Sequence, residues 1–139
     1  MSPKTIRFLF FIVLLAHGIG HYMGMSTAVG VNLSKTTSYK SWLLGGILND
    51  WVSRILCFIL YAAAFVGIIV AAFSFKGWIF PNEWWQPLTL YASIISLISV
   101  VVFWNGLATT FNKVGALGVS LFTIVSLIWW RFPSEIFND

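Results

Sequence analysis

The stretch Phe8-Leu9-Phe10-Phe11-Ile12-Val13-Leu14-Leu15-Ala16, continuing as His17-Gly18-Ile19-Gly20-His21-Tyr22-Met23-Gly24-Met25, decides the fold. From Phe8 to Ala16 no side chain carries a polar atom. With Lys4 and Arg7 ahead of it, the opening has the pattern of a secretory signal peptide, yet the run extends to the roughly 20 residues that a bilayer crossing needs. Residues 5–25 are therefore expected to form a first transmembrane helix. The chain's two histidines, His17 and His21, stand at i and i+4, so both imidazoles project from one helical face about one turn apart. Ionisable groups at membrane depth are costly to bury, which makes the pair the leading candidate site. Beside them Ala16, Gly20 and Gly24 recur every fourth position and form a seam open to close helix approach.

Composition agrees with this reading. The chain of 139 residues is 59% hydrophobic and only 9% charged, against the roughly 25% charged share of ordinary soluble domains. With a mean hydropathy of +0.89, it reads as an integral membrane protein. Its length allows about four crossings in a single transmembrane domain, residues 1–139. The expected architecture is an all-α four-helix bundle with spans at about 5–25, 51–73, 88–108 and 114–130. The formal charge of +4 comes from basic residues scattered singly, with no run able to follow a phosphate backbone, so nucleic acid is not an expected partner. Cys57 is the single cysteine, which rules out an intramolecular disulfide and reads as a small apolar filler.

Between the first two spans the apolar positions 43, 44, 47, 48 and 51 share a helical face too short to cross, and predict a short interfacial helix that Gly45-Gly46 weakens. Asp50 is placed to cap the second span. Arg54, Cys57 and Tyr61 are expected on one face of that span, with Ala63, Gly67 and Ala71 as a second small-residue seam. Pro81 and Pro87 break the chain after it, and Trp78, Trp84 and Trp85 mark a membrane interface. Ser93, Ser96 and Ser99 of the third span can bond back to their own helix or across to a neighbour. In the fourth, Gly115 and Gly118 permit tight packing and Trp129-Trp130-Arg131 reads as an anchor, followed by a polar tail from Pro133 to Asp139. Four spans put both termini on one side. Basic residues divide evenly, Lys4, Arg7, Lys76 and Arg131 against Lys35, Lys40, Arg54 and Lys113. Discounting Arg54 as intrahelical puts the termini in the cytoplasm.

On this topology His21 lies about one turn from the end of the first helix, Arg54 one turn into the second and Asn105 near the end of the third, all at similar depth. His17 lies about 6 Å deeper. Tyr61 is deeper still, with Trp104 nearer the mouth. The expectation is a polar pocket lined by His17, His21, Arg54, Tyr61, Trp104 and Asn105 in the leaflet opposite the termini. A metal is one occupant to weigh. Paired imidazoles at i and i+4 suit zinc, and Met25, four residues beyond His21, adds a thioether that favours copper(I), although no span holds a glutamate to act as base. Haem is disfavoured, because histidines side by side on one helix cannot ligate opposite faces of a porphyrin. The favoured occupant is a lipid-like or quinone-like molecule whose polar head meets a histidine and Arg54. No hydrolase constellation is visible, and transport is weakly supported in the absence of acidic residues and repeats. The competing reading is an accessory subunit, in a homo-oligomer or larger membrane complex, whose histidines tie helices together.

The motif His17-Gly18-Ile19-Gly20-His21, followed by Gly24 and, at the end of the third span, by Phe103-Trp104-Asn105-Gly106, resembles small bacterial four-span membrane proteins described as DoxX-like, including uncharacterised ones with His-Gly-x-x-His in the first span. The resemblance implies the four-span layout and a bacterial inner-membrane location. DoxX itself is similar to a subunit associated with quinone-linked sulfur oxidation, which implies a redox context, although this chain lacks the cysteines for sulfur chemistry.

Overall fold

The computed structural model describes residues 3–129. Four helices cross in sequence, α1 (Pro3–Ala28), α2 (Asp50–Lys76), α3 (Trp85–Val102) and α4 (Thr110–Ile128), and each is long and apolar enough to span a membrane. The protein is an all-helical membrane protein, and no strand occurs among the described residues. The expected anchor at Trp130 and Arg131 and the polar tail lie outside the described residues.

Helix ends follow local chemistry. Asn49, not Asp50, caps α2. Its side chain accepts a hydrogen bond from Val52 N at 2.9 Å, while the Asp50 carboxylate sits in the first turn and turns outward to the Tyr39 hydroxyl and, at 3.5 Å, to Lys40. An N-cap must have extended backbone, and Asn49 does (φ −71°, ψ 165°). Gly77, at φ +63°, ends the helix in a left-handed turn in which Trp78 N reaches back to Phe73 O. Thr109 caps α4 by accepting from Asn112 N at 3.1 Å, so α4 starts four residues before the expected 114. The third span stops at Val102 rather than near 108. Trp104–Gly106 form a single 3-10 turn, and Leu107 is extended.

The first loop explains that early stop. Its apolar half, expected as an interfacial helix, is a run of turns over 42–47, since the paired glycines at 45 and 46 give a helix no propensity there. The loop instead satisfies carbonyls left open where α3 ends: Ser41 Oγ donates to Val102 O at 2.7 Å, Trp42 Nε1 to Val101 O at 2.5 Å, Ser38 N to Asn105 O at 2.7 Å and Thr36 Oγ1 to Ala108 O at 3.0 Å. It is a strap across the membrane face where α3 ends.

Inside, two apolar clusters sit at different depths. Nearer the termini, Phe11, Leu14, Ile68, Ala72, Phe75, Trp85 and Ala92 pack together, so Trp85 is buried in the core, while Trp78 and Trp84 are exposed. Nearer the strap lie Ala28, Cys57, Tyr61, Val100, Phe103 and Leu107. Glycines set the helix spacing: a Cβ on Gly18 would stand 2.9 Å from Ile69 on α2, and one on Gly67 would stand 2.8 Å from Ala92 Cβ on α3. Consecutive helices pack extensively, whereas α1 and α4 meet sparsely and leave the bundle unclosed on that side.

Candidate functional site

Between the two apolar clusters lies a polar layer. On α1 it falls between Leu14 and Ala28, on α3 between Ala92 and Val100, and it is completed from α4. His17 Nε2 is 3.0 Å from Ser120 Oγ, Ser120 Oγ is 2.7 Å from Ser96 Oγ, and Ser96 Oγ is 2.8 Å from His21 Nε2. A longer contact of 3.4 Å joins Ser96 Oγ to His17 Nε2. Three helices are thereby tied by one row of hydrogen bonds with all four residues buried. Buried polar groups need such partners, because an unsatisfied one costs about 1–3 kcal/mol. Within the row's four side chains, His21 Nδ1 is buried without a hydrogen-bond partner.

The imidazoles stand edge to face, centroids 4.9 Å apart at 73°. Both lie on one face of α1, as the i, i+4 spacing predicts. Tyr61 joins them from α2, its ring 5.7 Å from His21 and its hydroxyl donating to Phe103 O at 3.0 Å. The expected Arg54 and Asn105 do not reach this layer. Arg54 is exposed, stacks at 4.2 Å over the Tyr39 ring and donates to its hydroxyl at 3.3 Å. The face of α2 that turns inward carries Ser53, Cys57 and Tyr61, one position away from Arg54. Depth separates them too: α1 runs on to Ala28, which sets His21 about 10 Å from its end, against about 6 Å for Arg54 at the start of α2. Asn105 is exposed at the strap, where its Oδ1 accepts from Lys113 Nζ at 3.3 Å. Trp104 lies under Lys113 and lines a separate apolar hollow of about 350 Å³ with Trp42 and Val101.

For a metal, the described residues hold no group of three or more His, Cys, Asp or Glu side chains, and Met25 packs against the strap-side cluster. Both Nε2 atoms are engaged by serines. Ser96 and Ser120 are the residues that sequence reasoning did not place in the site. The available signal was hydroxyl periodicity, Ser93, Ser96 and Ser99 on α3 and Ser120, Thr123 and Ser126 on α4, each series on one helical face and all six buried.

The layer opens on one side. Where α1 and α4 diverge there is a groove of about 570 Å³, walled by Ala16, His17 and Gly20 on α1 and by Gly115, Ala116 and Val119 on α4, with Asn112 and Tyr22 also lining it. Gly20 and Gly115 have nothing within 4 Å of the position a Cβ would take, so these small residues leave space instead of admitting a neighbouring helix. His17 belongs to both the groove wall and the buried row. Comparison with protein-family models, curated proteins and solved structures finds no match to this chain.

Proposed function

We propose that the protein binds a lipid-like or quinone-like molecule in the groove between α1 and α4, its apolar tail along the glycine-lined walls and its polar head against His17. The observation that carries this reading is the double position of His17, which lines an apolar groove on one side and is held by Ser120 and Ser96 on the other. Apolar pockets with a few well-placed polar groups are the common form of small-molecule sites. A neutral imidazole can donate to or accept from a head group, and the serines fix its ring in place. Arg54, Trp104 and Asn105 fall outside this site, and Tyr61 serves it by packing on His21. The termini are proposed to face the cytoplasm of a bacterial inner membrane, a reading supported by Lys4, Arg7 and Lys76 at that end and tested by reporter fusions to either face.

The test is mass spectrometry of apolar molecules that co-purify in mild detergent with the wild type, His17→Ala and Gly115→Leu. Gly115→Leu fills open space, so it is expected to empty the groove while thermal stability holds. A ligand present in the wild type and lost from both variants supports the reading. An empty wild type, or full retention in Gly115→Leu, overturns it in favour of a subunit whose histidines only tie helices together.

A further inference from the structure

We infer that the groove presents a hydrogen-bond donor, the Nδ1–H of His17, and so takes an apolar molecule whose head is an acceptor, a carbonyl. This deepens the groove-binding reading and rests on it. The argument is a count of hydrogens along the buried row. From His17 Nε2 through Ser120 Oγ and Ser96 Oγ to His21 Nε2 there are three links, and each needs one hydrogen. A hydroxyl has one, so the two serines supply two. The third is an N–H on one histidine Nε2. With neither ring protonated at Nε2, one link sets two lone pairs against each other. With both protonated, a hydroxyl hydrogen is left over, and among the described hydrogen bonds neither serine turns it back to its own helix as Ser99 does to Ile95 O at 2.6 Å.

The row therefore has two polarities. If His17 donates from Nε2, every hydrogen points toward His21, which accepts at Nε2 and carries its own proton on Nδ1. That atom is buried without a partner, on a residue 1% exposed, so this polarity strands an N–H in the interior. In the opposite polarity His21 Nε2–H donates to Ser96, Ser96 to Ser120, and Ser120 to His17 Nε2. His21 Nδ1 then keeps only a lone pair. Among buried backbone groups an orphaned N–H is rarer than an under-satisfied carbonyl, and carrying that preference over to the imidazole selects the second polarity. Its consequence emerges at the other end: His17 carries its proton on Nδ1, the ring nitrogen the serines leave free, on the residue that lines the groove. A carbonyl accepts from that N–H, whereas a head able only to donate meets a second donor.

Solid-state NMR of histidine-labelled protein in lipid bilayers tests this directly. The chain has two histidines, and carbonyl-labelled alanine assigns one of them because Ala16 precedes His17 while Gly20 precedes His21. The expected spectrum has His17 protonated at Nδ1 and His21 at Nε2. The reverse pattern, or the same tautomer on both rings, overturns the inference. Ser96→Ala removes the one hydroxyl that lies on every path between the two histidines, so His17 is expected to become a mixture of tautomers in that variant, and a His17 still locked as Nδ1–H there overturns the inference. In a second arm the ligand-free protein is titrated with a decyl-substituted 1,4-benzoquinone and with decylbenzene, which has the same tail and no acceptor. The quinone is expected to bind about tenfold more tightly, the scale of one hydrogen bond, and to shift His17 Nδ1 first. Equal binding of the two overturns the acceptor-head assignment and leaves the groove reading standing. Binding of neither overturns both.

Discussion

Gly24→Ala, the addition of one methyl group, is expected to damage the site from a residue outside the hydrogen-bonded row. Its Cβ would stand 2.4 Å from Tyr61 Cγ and 2.5 Å from both Cδ atoms. Carbon atoms in contact prefer about 3.5–4.0 Å, so the ring must withdraw by about 1 Å. The ring has little room to give: Tyr61 is fully buried, and toward its hydroxyl end a Cβ on Gly106 would itself lie 2.7 Å from Tyr61 Cε2. Overpacking of this kind costs about 1–3 kcal/mol, and pulling the hydroxyl from Phe103 O adds about 1–3 kcal/mol for a buried carbonyl left without its donor. The gain in helix preference from Gly to Ala offsets about 1 kcal/mol, which leaves a net loss of about 1–5 kcal/mol. Gly20→Ala is the matched control four residues earlier on the same helix, with no atom within 4 Å of the new methyl, and it keeps the propensity gain alone. Unfolding in mixed micelles, followed by tryptophan fluorescence, should therefore move in opposite directions for the two variants. In a Tyr61→Leu background the cost of Gly24→Ala should fall sharply, the non-additivity expected of residues in contact. Equal effects of the two glycine substitutions, or an unchanged cost in the Tyr61→Leu background, would refute the packing argument.

Other substitutions separate neighbouring roles. Asn49→Ala should destabilise by about 1 kcal/mol through loss of the α2 cap, whereas Asp50→Asn, which gives up an exposed ion pair and a first-turn charge but no cap, should cost less in the same assay. Ser74 Oγ and Ser126 Oγ are buried without partners, so Ser74→Ala and Ser126→Ala should be neutral or stabilising. Ser96→Ala, which strips Ser120 and both histidines of a partner, should cost about 1–3 kcal/mol in the same unfolding assay.

The sequence made the membrane class, the number of spans and the histidine face legible, because all three rest on hydropathy and helical period, which are properties of single segments. What it hid depends on contacts between segments. Depth and the i, i+3, i+7 spacing of Arg54, Cys57 and Tyr61 both point Arg54 toward the site, and a one-residue difference in helix phase puts Ser53 rather than Arg54 inside. Asn105 was assigned to a third span drawn six residues too long. The strap that ends α3 at Val102 is held by side chains 59 to 61 residues earlier in the chain, and no local pattern encodes that pairing. Serines left the weakest trace. A hydroxyl in an apolar helix reads equally as a bond to its own backbone, which Ser99 makes, or as a bond to another helix, which Ser96 makes.

The same contacts bear on whether the histidines are glue or site. A row of hydrogen bonds that only bound helices together would do so best in a closed bundle, with small residues from both helices at the seam so that backbones could touch. Gly18 and Gly67 are used in that way against α2 and α3. Along α1 and α4 the small residues are present, at Ala16, Gly20 and Gly115, and the helices nevertheless stand apart over a groove. The His17–Ser120 bond crosses between them at 3.0 Å and holds α4 to α1 at one depth while the walls beside it stay open. A tie placed at the edge of an opening fixes the orientation of the ring that faces into it. That is the arrangement a binding site requires and a closed helix seam does not.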